Sequence, residues 1–290
     1  MKKAIVIFCC FLCLALISCG TAEKKKPNKK AEPVKSEESA DEEDADDGIT
    51  ENGIHNLPNG DRYIGGFKDH KKYGEGEYIY ANGDRYKGFF ANGHYNGQGE
   101  LTLKDGTKYI GGFKDGLRHG QGTLTFPSGA RYEGSFKNDM MDGEGIFRFP
   151  DEREYRGSFA KNIRHGHGVM IFPSGAEYEG DFDNDKRSGK GKMTYRNGAV
   201  YEGDFVDGKR DGHGKLTKAN GDVYEGDFEG DVMTGIGQYT FKNGSVVYGV
   251  WKEGRLEKKL PRPGSGEEEA DGTEPGEEPS EEESGSETEE

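Results

Sequence analysis

Tyrosine recurs every 23 residues along this chain, at positions 63, 86, 109, 132, 155, 178, 201 and 224, without an insertion or deletion. A fixed period of that length means one small supersecondary unit stacked in tandem, and it argues against a single layered globule. Two residues after each tyrosine stands a glycine (Gly65, Gly88, Gly111 and onward to Gly226), and two further on an aromatic (Phe67, Phe90, Phe113 and onward to Phe228). The ninth copy reads Val247, Gly249 and Trp251. Every complete unit then carries a glycine pair, such as Gly97 and Gly99, followed by apolar residues at alternate positions, such as Leu124 and Phe126. Eight complete units are flanked by half units, one holding Gly53, His55, Leu57 and Gly60, the other ending near Gly254.

Side chains two apart project from the same face of an extended chain, so this alternation is a strand signal. Tyr63, Gly65 and Phe67 fall on one face of a first strand, and Gly76, Tyr78 and Tyr80 on one face of a second. Short links rich in residues that tolerate positive φ join them: Gly93, Gly116, Asp139, Asn162, Asp185 and Gly208 in one turn, Asn82-Gly83, Asp105-Gly106, Asn197-Gly198 and Asn220-Gly221 in the other. Short links favour antiparallel neighbours. A glycine inside a strand weakens it unless something covers the bare backbone, and an aromatic ring lying across it is the expected cover. The fold class is therefore all-β: an elongated single-layer antiparallel sheet of tandem 23-residue hairpins, about 80 Å long at ~4.8 Å per strand.

The run Tyr132-Glu133-Gly134-Ser135-Phe136, continuing through Gly143-Glu144-Gly145 to Tyr155, resembles the MORN (membrane occupation and recognition nexus) repeat, and Tyr178-Glu179-Gly180-Asp181-Phe182 resembles it more closely. The resemblance covers residues 53–254. It implies an elongated β-ribbon of the kind that serves as a scaffold or targeting arm. Three departures stand out: Glu152 in place of a turn glycine, Lys218 in place of a strand aromatic and Val247 in place of the tyrosine. The first two are expected to loosen local packing and the third to mark a cap.

Outside the array, which is assigned residues 51–262, the composition changes. Residues 1–19 combine Lys2 and Lys3 with an apolar run from Ala4 to Leu16, the pattern of a signal peptide. Leu16-Ile17-Ser18-Cys19 resembles the bacterial lipobox, which implies that Cys19 is lipidated and becomes the first residue of the mature chain. All four cysteines lie in this segment, so the mature array would hold no disulfide. Gly20 lacks the aspartate associated with inner-membrane retention, which places the expected anchor in the outer membrane of the cell envelope. Residues 20–50 read as a disordered charged tether, with six lysines against ten acids, and 263–290 as a disordered acidic tail, with thirteen acids and no base. The formal charge of −15 resides in these flanks and leaves the array neutral, without the clustered cations that nucleic acid requires.

No motif for catalysis appears, and any carboxylate pair recurs in several units, so no catalytic residue, metal or cofactor is assigned. His165-Gly166-His167, with His119 and His213 at related places, does not supply a metal set, because no cysteine or carboxylate at an equivalent neighbouring position offers a third ligand. The face opposite the aromatics carries Glu179, Asp181, Glu202, Asp204, Glu225 and Asp227 among Lys190, Lys192, His213 and Lys215, which cross-strand pairing explains, the alternative being a docking strip for a basic partner. On the aromatic face, a thin sheet is expected to leave an apolar strip open to a partner. Its candidate contact residues are Tyr86, Phe90, Tyr109, Phe113, Tyr132, Phe136, Tyr155, Phe159, Tyr178, Phe182, Tyr201 and Phe205. The expected function is a membrane-anchored scaffold that binds an envelope protein or itself. The alternative is a module that holds cell-wall or surface glycan on the same rings, which would resemble choline-binding repeats but lacks their paired tryptophans.

Overall fold

The structure, a computed structural model, describes residues 49–263, and side chains from 53 onward. The signal segment 1–19 with Cys19, the tether up to residue 48 and the acidic tail from 264 lie outside the described residues. The described part is one open sheet of nineteen antiparallel strands. They run from β1 (Ile49–Asn56) through hairpins such as β4 (Arg85–Ala91) with β5 (His94–Thr102), and β12 (Glu177–Asp183) with β13 (Lys186–Thr194), to β18 (Val246–Lys252) and β19 (Arg255–Lys259). Each strand pairs with its neighbours in sequence, so the topology is an uninterrupted meander. β1 begins at Ile49, two residues inside the span assigned to the tether.

Two alternating turns build it. The turn inside each unit has two residues, both in the left-handed region, for example Asn92 and Gly93 (φ 51° and 83°) or Asn184 and Asp185 (49° and 67°). Such turns match the right-handed twist of the strands they join. The turn between units has glycine at its left-handed position, as at Gly83 (φ 97°), whose amide donates to the Tyr80 carbonyl at 2.9 Å.

Glu152 fills the glycine position of one such turn at φ 71° and keeps the hydrogen bond to Phe149. The expected loosening is thus backbone strain, of about 1 kcal/mol for a residue with a Cβ in this region. Glu152→Gly should therefore raise stability in urea unfolding by about 0.5 to 1 kcal/mol, glycine's greater freedom in the unfolded chain offsetting part of the gain. An unchanged or lowered midpoint would refute that account.

Lys218 does not leave a gap: its Nζ lies 5.4 Å above the Tyr239 ring. Val247 does mark a cap. With no tyrosine there, Leu256 of β19 occupies the space beside Gly249, and Trp251 closes the end, its indole donating to the Gly237 carbonyl at 3.1 Å.

The register lines up one glycine from each of β1 to β18 into a single row across the sheet, Gly53 to Gly65 to Gly76 and so on through Gly237 to Gly249. Over this row lie the tyrosines. A Cβ on Gly191 would meet the Tyr178 ring at 2.5–2.7 Å, so the glycines are the socket into which each ring fits. The ring covers glycines on its own strand and on the next, as the sequence pattern implies.

The glycine pair therefore contains two different glycines. The second, such as Gly191, makes room for the ring. The first, such as Gly97 (φ 69°) or Gly189 (φ 63°), sits beside a register slip in the hairpin and requires the left-handed backbone. Across that slip the tyrosine hydroxyl donates to the carbonyl three residues on: Tyr86 to Phe89 at 2.9 Å, Tyr155 to Ser158 at 3.0 Å, Tyr201 to Asp204 at 3.0 Å. That bond is the reason for tyrosine over phenylalanine, because the buried oxygen then has a partner.

Candidate functional site

The twelve rings put forward as a partner-binding face are the core of the molecule, at 0–6 % exposure. Tyr86, Tyr109, Tyr132, Tyr155, Tyr178 and Tyr201 are fully buried, and Phe90, Phe113, Phe136, Phe159, Phe182 and Phe205 nearly so. This corrects the expectation that a thin sheet leaves them open. Each tyrosine lies down on its glycines and is clasped edge-on by two phenylalanines, its own and the next unit's. Tyr155, for instance, has Phe159 at 5.1 Å and Phe182 at 5.0 Å, with the rings near 90°. Burial pushes the hydroxyl of Tyr155 up to about 12 and raises the others in the column likewise.

A third layer, not anticipated from the sequence, closes the column. Arg118, Arg164, Arg187 and Arg210 lay their guanidinium groups across these rings, Arg210 at 5.6 Å from Tyr201 and 5.3 Å from Phe228. Three of the four clip an aspartate in the following unit's turn. Arg210 donates to Asp231 from both its amide (2.9 Å) and Nε (3.1 Å), and Arg118 and Arg164 treat Asp139 and Asp185 in the same way. Burial lowers Arg118 below the usual guanidinium value, although Asp139 opposes it. The signal was present in the sequence, since 164, 187 and 210 keep the same 23-residue spacing.

Two buried carboxylates tie turns together at the ends of the array. Asp61 accepts from the Tyr78 hydroxyl at 2.6 Å and the Ala81 amide at 2.8 Å, and Asp222 accepts equivalently from Tyr239 at 2.7 Å and Lys242 at 2.8 Å. The Tyr78 hydrogen bond holds Asp61 below the ordinary carboxylate range. At Asp222 burial pushes upward, but the hydrogen bonds from Tyr239 and Lys242 outweigh it.

With the aromatic face filled, the grooves lie on the opposite face. Residues flanking the glycine row point there in two rails, leaving a trough floored by glycine backbone. One stretch spans β7 (Leu117–Thr125) to β11 (Ile163–Ile171) and measures about 710 Å³; another, from β11 to β16 (Val223–Glu229), measures about 550 Å³. Over β11 to β16 the rails are closed by their own cross-strand pairs: Lys190 with Asp204 at 2.7 Å, Lys192 with Glu202 at 3.0 Å, His213 with Asp227 at 3.1 Å. Exposed pairs of this kind contribute little to stability but satisfy the charges.

The histidines differ from expectation in one respect. Antiparallel pairing of β11 with β12 sets His167 beside Asp181 (3.5 Å) and Glu179 (3.8 Å), and His165 beside Asp183 (3.3 Å), so carboxylates are near after all. Among the described residues, no three such groups converge as a metal-ligating set.

The sequence matches the family model described as MORN repeat in eight consecutive segments: 63–85, 86–108, 109–131, 132–152, 155–177, 178–200, 201–223 and 224–246. No curated protein matches it. Among solved structures, similar chains include the TCP10 domain of Danio rerio CPAP in complex with a peptide of Danio rerio STIL (14% identity, 73% of this chain and 100% of that chain, TM-score 0.41). Another is the SAS-4 (dCPAP) TCP domain in complex with a proline-rich motif of Ana2 (dSTIL) of Drosophila melanogaster (11% identity, 69% and 90%, TM-score 0.32). A streptogramin B lyase is more distant (12% identity, 70% and 68%, TM-score 0.15).

Proposed function

The chain belongs to the MORN repeat family, and from that premise we propose that it is a non-catalytic scaffold, lipid-anchored through Cys19 in a bacterial envelope, that presents its sheet to a protein partner. The observation that carries this reading is the glycine row. Over β7 to β16 it leaves a trough edged by two rails, whose chemistry changes from unit to unit while the backbone beneath stays constant. A surface of that kind suits recognition along a line better than chemistry at a point. The anchor rests on the lipobox-like Leu16-Ile17-Ser18-Cys19, and the outer membrane on Gly20 after it.

Self-association remains within this reading as one form of protein partner. The wall-glycan alternative needed the tyrosine and phenylalanine rings open to sugar faces; buried as they are, it loses its motivating feature. Purified cell wall should therefore co-pellet the protein no more than an unrelated control.

In-cell crosslinking of the tagged protein followed by mass spectrometry tests the scaffold. One or two envelope proteins should be enriched with the wild type, and lost both with Cys19→Ala and with deletion of residues 86–223. Enrichment unchanged by the deletion would overturn the proposal.

A further inference from the structure

The turns inside the units all lie along one long rim of the sheet, and their charge reverses part-way along it. Five residues after the tyrosine stand Lys68, Lys114 and Lys137 in the early units, but Asp183 and Glu229 in later ones. The early turns add Lys71 and Lys161, against Asp69, Asp115, and an Asp139 and Asp142 that Arg118 and the Lys161 amide already engage. In the later turns Lys186 is matched with Asp207 at 2.8 Å. Among the described residues no carboxylate is paired with Lys68, Lys71, Lys114 or Lys137, and the last three are exposed. Lys68 lies 5.7 Å above the ring of Tyr73. The early half of this rim thus holds more cations than carboxylates to meet them.

The chain enters the array at the same rim. Ile49, the first residue of β1, is the register partner of Lys68 in β2 (Arg62–Lys68). Immediately before β1, residues 37–47 hold eight acids and no base. These eleven residues can reach about 36 Å. From β1 to β8 (Arg131–Lys137) is seven strand spacings, about 34 Å. The acidic run is therefore long enough to pass Lys68, Lys71, Lys114 and Lys137, and little more. The acidic tail is placed differently. The Leu260 amide donates to the Tyr248 carbonyl at 2.8 Å, which carries the chain out by the opposite rim and at the far end of the sheet, about 86 Å from β1.

From this complementarity we propose that residues 37–47 dock along the early half of the rim, with their carboxylates against Lys68, Lys71, Lys114 and Lys137. Because acids fill eight of the eleven places, the pairing needs nearness and no particular register. Nearness is supplied by the chain itself. A segment joined to its site acts at an effective concentration in the millimolar range, so surface ion pairs that are weak singly suffice together. The consequence is mechanical and rests on the scaffold reading: with the run docked, the tether departs near β8, about 34 Å in from the end of the sheet. The array is then held along its length and not by one end.

Digestion of the full-length protein with a glutamyl endopeptidase measures the docking, because the run and the acidic tail both offer glutamates and serve as test and internal reference. The triple variant Lys68→Glu, Lys114→Glu, Lys137→Glu should raise the cleavage rate within 37–47 about tenfold and leave that within 264–290 unchanged. Lys186→Glu with Lys209→Glu, reversals in the later turns, should change neither. In the wild type, carbodiimide coupling should join acids of 37–47 to Lys71 or Lys114 within one chain. Its yield should be independent of protein concentration and lost in 1 M salt, where the screening length is about 3 Å. Circular dichroism verifies the sheet in every variant. An unchanged cleavage rate in the triple variant, coupling of these lysines to the tail instead, or coupling only between chains would overturn the proposal. The scaffold is tested separately by its crosslinked envelope partner: if that partner is retained while docking fails, the scaffold stands and only the docking is wrong.

Discussion

Gly191→Val is expected to lower stability by about 3–5 kcal/mol, the range seen when a large buried ring loses its site. The argument is steric and local. The first atom of any side chain at Gly191 would sit 2.5–2.7 Å from the Tyr178 ring, and that ring has nowhere to go. Phe182 at 5.2 Å and Phe205 at 5.0 Å clasp it edge-on, Arg187 lies 5.7 Å above it, and its hydroxyl is tied to the Asp181 carbonyl at 3.0 Å. Accommodating a valine means expelling the tyrosine and opening the contact between two units. At about 2–4 °C per kcal/mol for a chain of this size, the thermal midpoint should fall by roughly 10 °C. Lys190→Val, one residue away but on the opposite face, should change stability by about 0.5 kcal/mol or less. Equal effects at the two positions would show that the tyrosine column is not what fixes the glycines.

Alkaline titration should collapse the array cooperatively above pH 10. Tyr63, Tyr86, Tyr109, Tyr132, Tyr155, Tyr178, Tyr201 and Tyr224 are all fully buried, and burial raises every one of them, Tyr155 to about 12. For a group whose folded value lies above its unfolded value of about 10, the contribution is complete below pH 10 and is lost as pH rises toward the folded value, because only the unfolded chain releases the proton. At pH 11 the loss is about 1 kcal/mol for each of the seven tyrosines from Tyr86 to Tyr224 and on the order of 10 kcal/mol together, comparable with the whole stability of an ordinary domain. Tyrosinate absorbance should therefore stay low until the β-sheet circular dichroism is lost, and the two should then change together. Smooth titration near pH 10 with the sheet intact would mean the rings are open to water, and would reopen them as a partner surface.

Both results depend on a repeat in which each unit leans only on its neighbours. Stability is then a sum of units and interfaces, and a break at one glycine propagates outward from that place. The end caps matter for the same reason: Trp251 and Leu256 cover the last glycines at one end, and His55 packs on Phe67 at 4.7 Å and on Tyr63 at the other.

Much of this architecture is local, and local features are legible in a sequence. The 23-residue spacing of Tyr63 through Tyr224 gave the unit, alternation gave the strands, and Gly83, Gly93, Asn162 and Asp185 marked the turns, because each depends on backbone preferences within a few residues. Aromatic cover of the strand glycines followed from the same pattern. The distinct jobs of Gly189 and Gly191 did not, since a requirement for left-handed backbone and a requirement for empty space call for the same residue.

What the tertiary structure decided was which face is closed. From the pattern alone Tyr86, Phe90 and their equivalents formed one exposed stripe; in three dimensions the ring of one unit lies flat on two strands and is sealed by the phenylalanine of the next and by a side chain of its own unit's second strand, Tyr95 over Tyr86 and an arginine in four other units. The register slip beside Gly97 and Gly189 lets the rings lie down, and it arises from pairing between strands, not from either strand alone. Sealing that face left the glycine-floored trough on the other side open, and antiparallel pairing set His167 against Asp181 across a strand boundary. Periodicity thus determined the repeating unit and its turns, because these are short-range choices of φ and ψ. Burial, and with it the surface left for a partner, was settled only where neighbouring units meet.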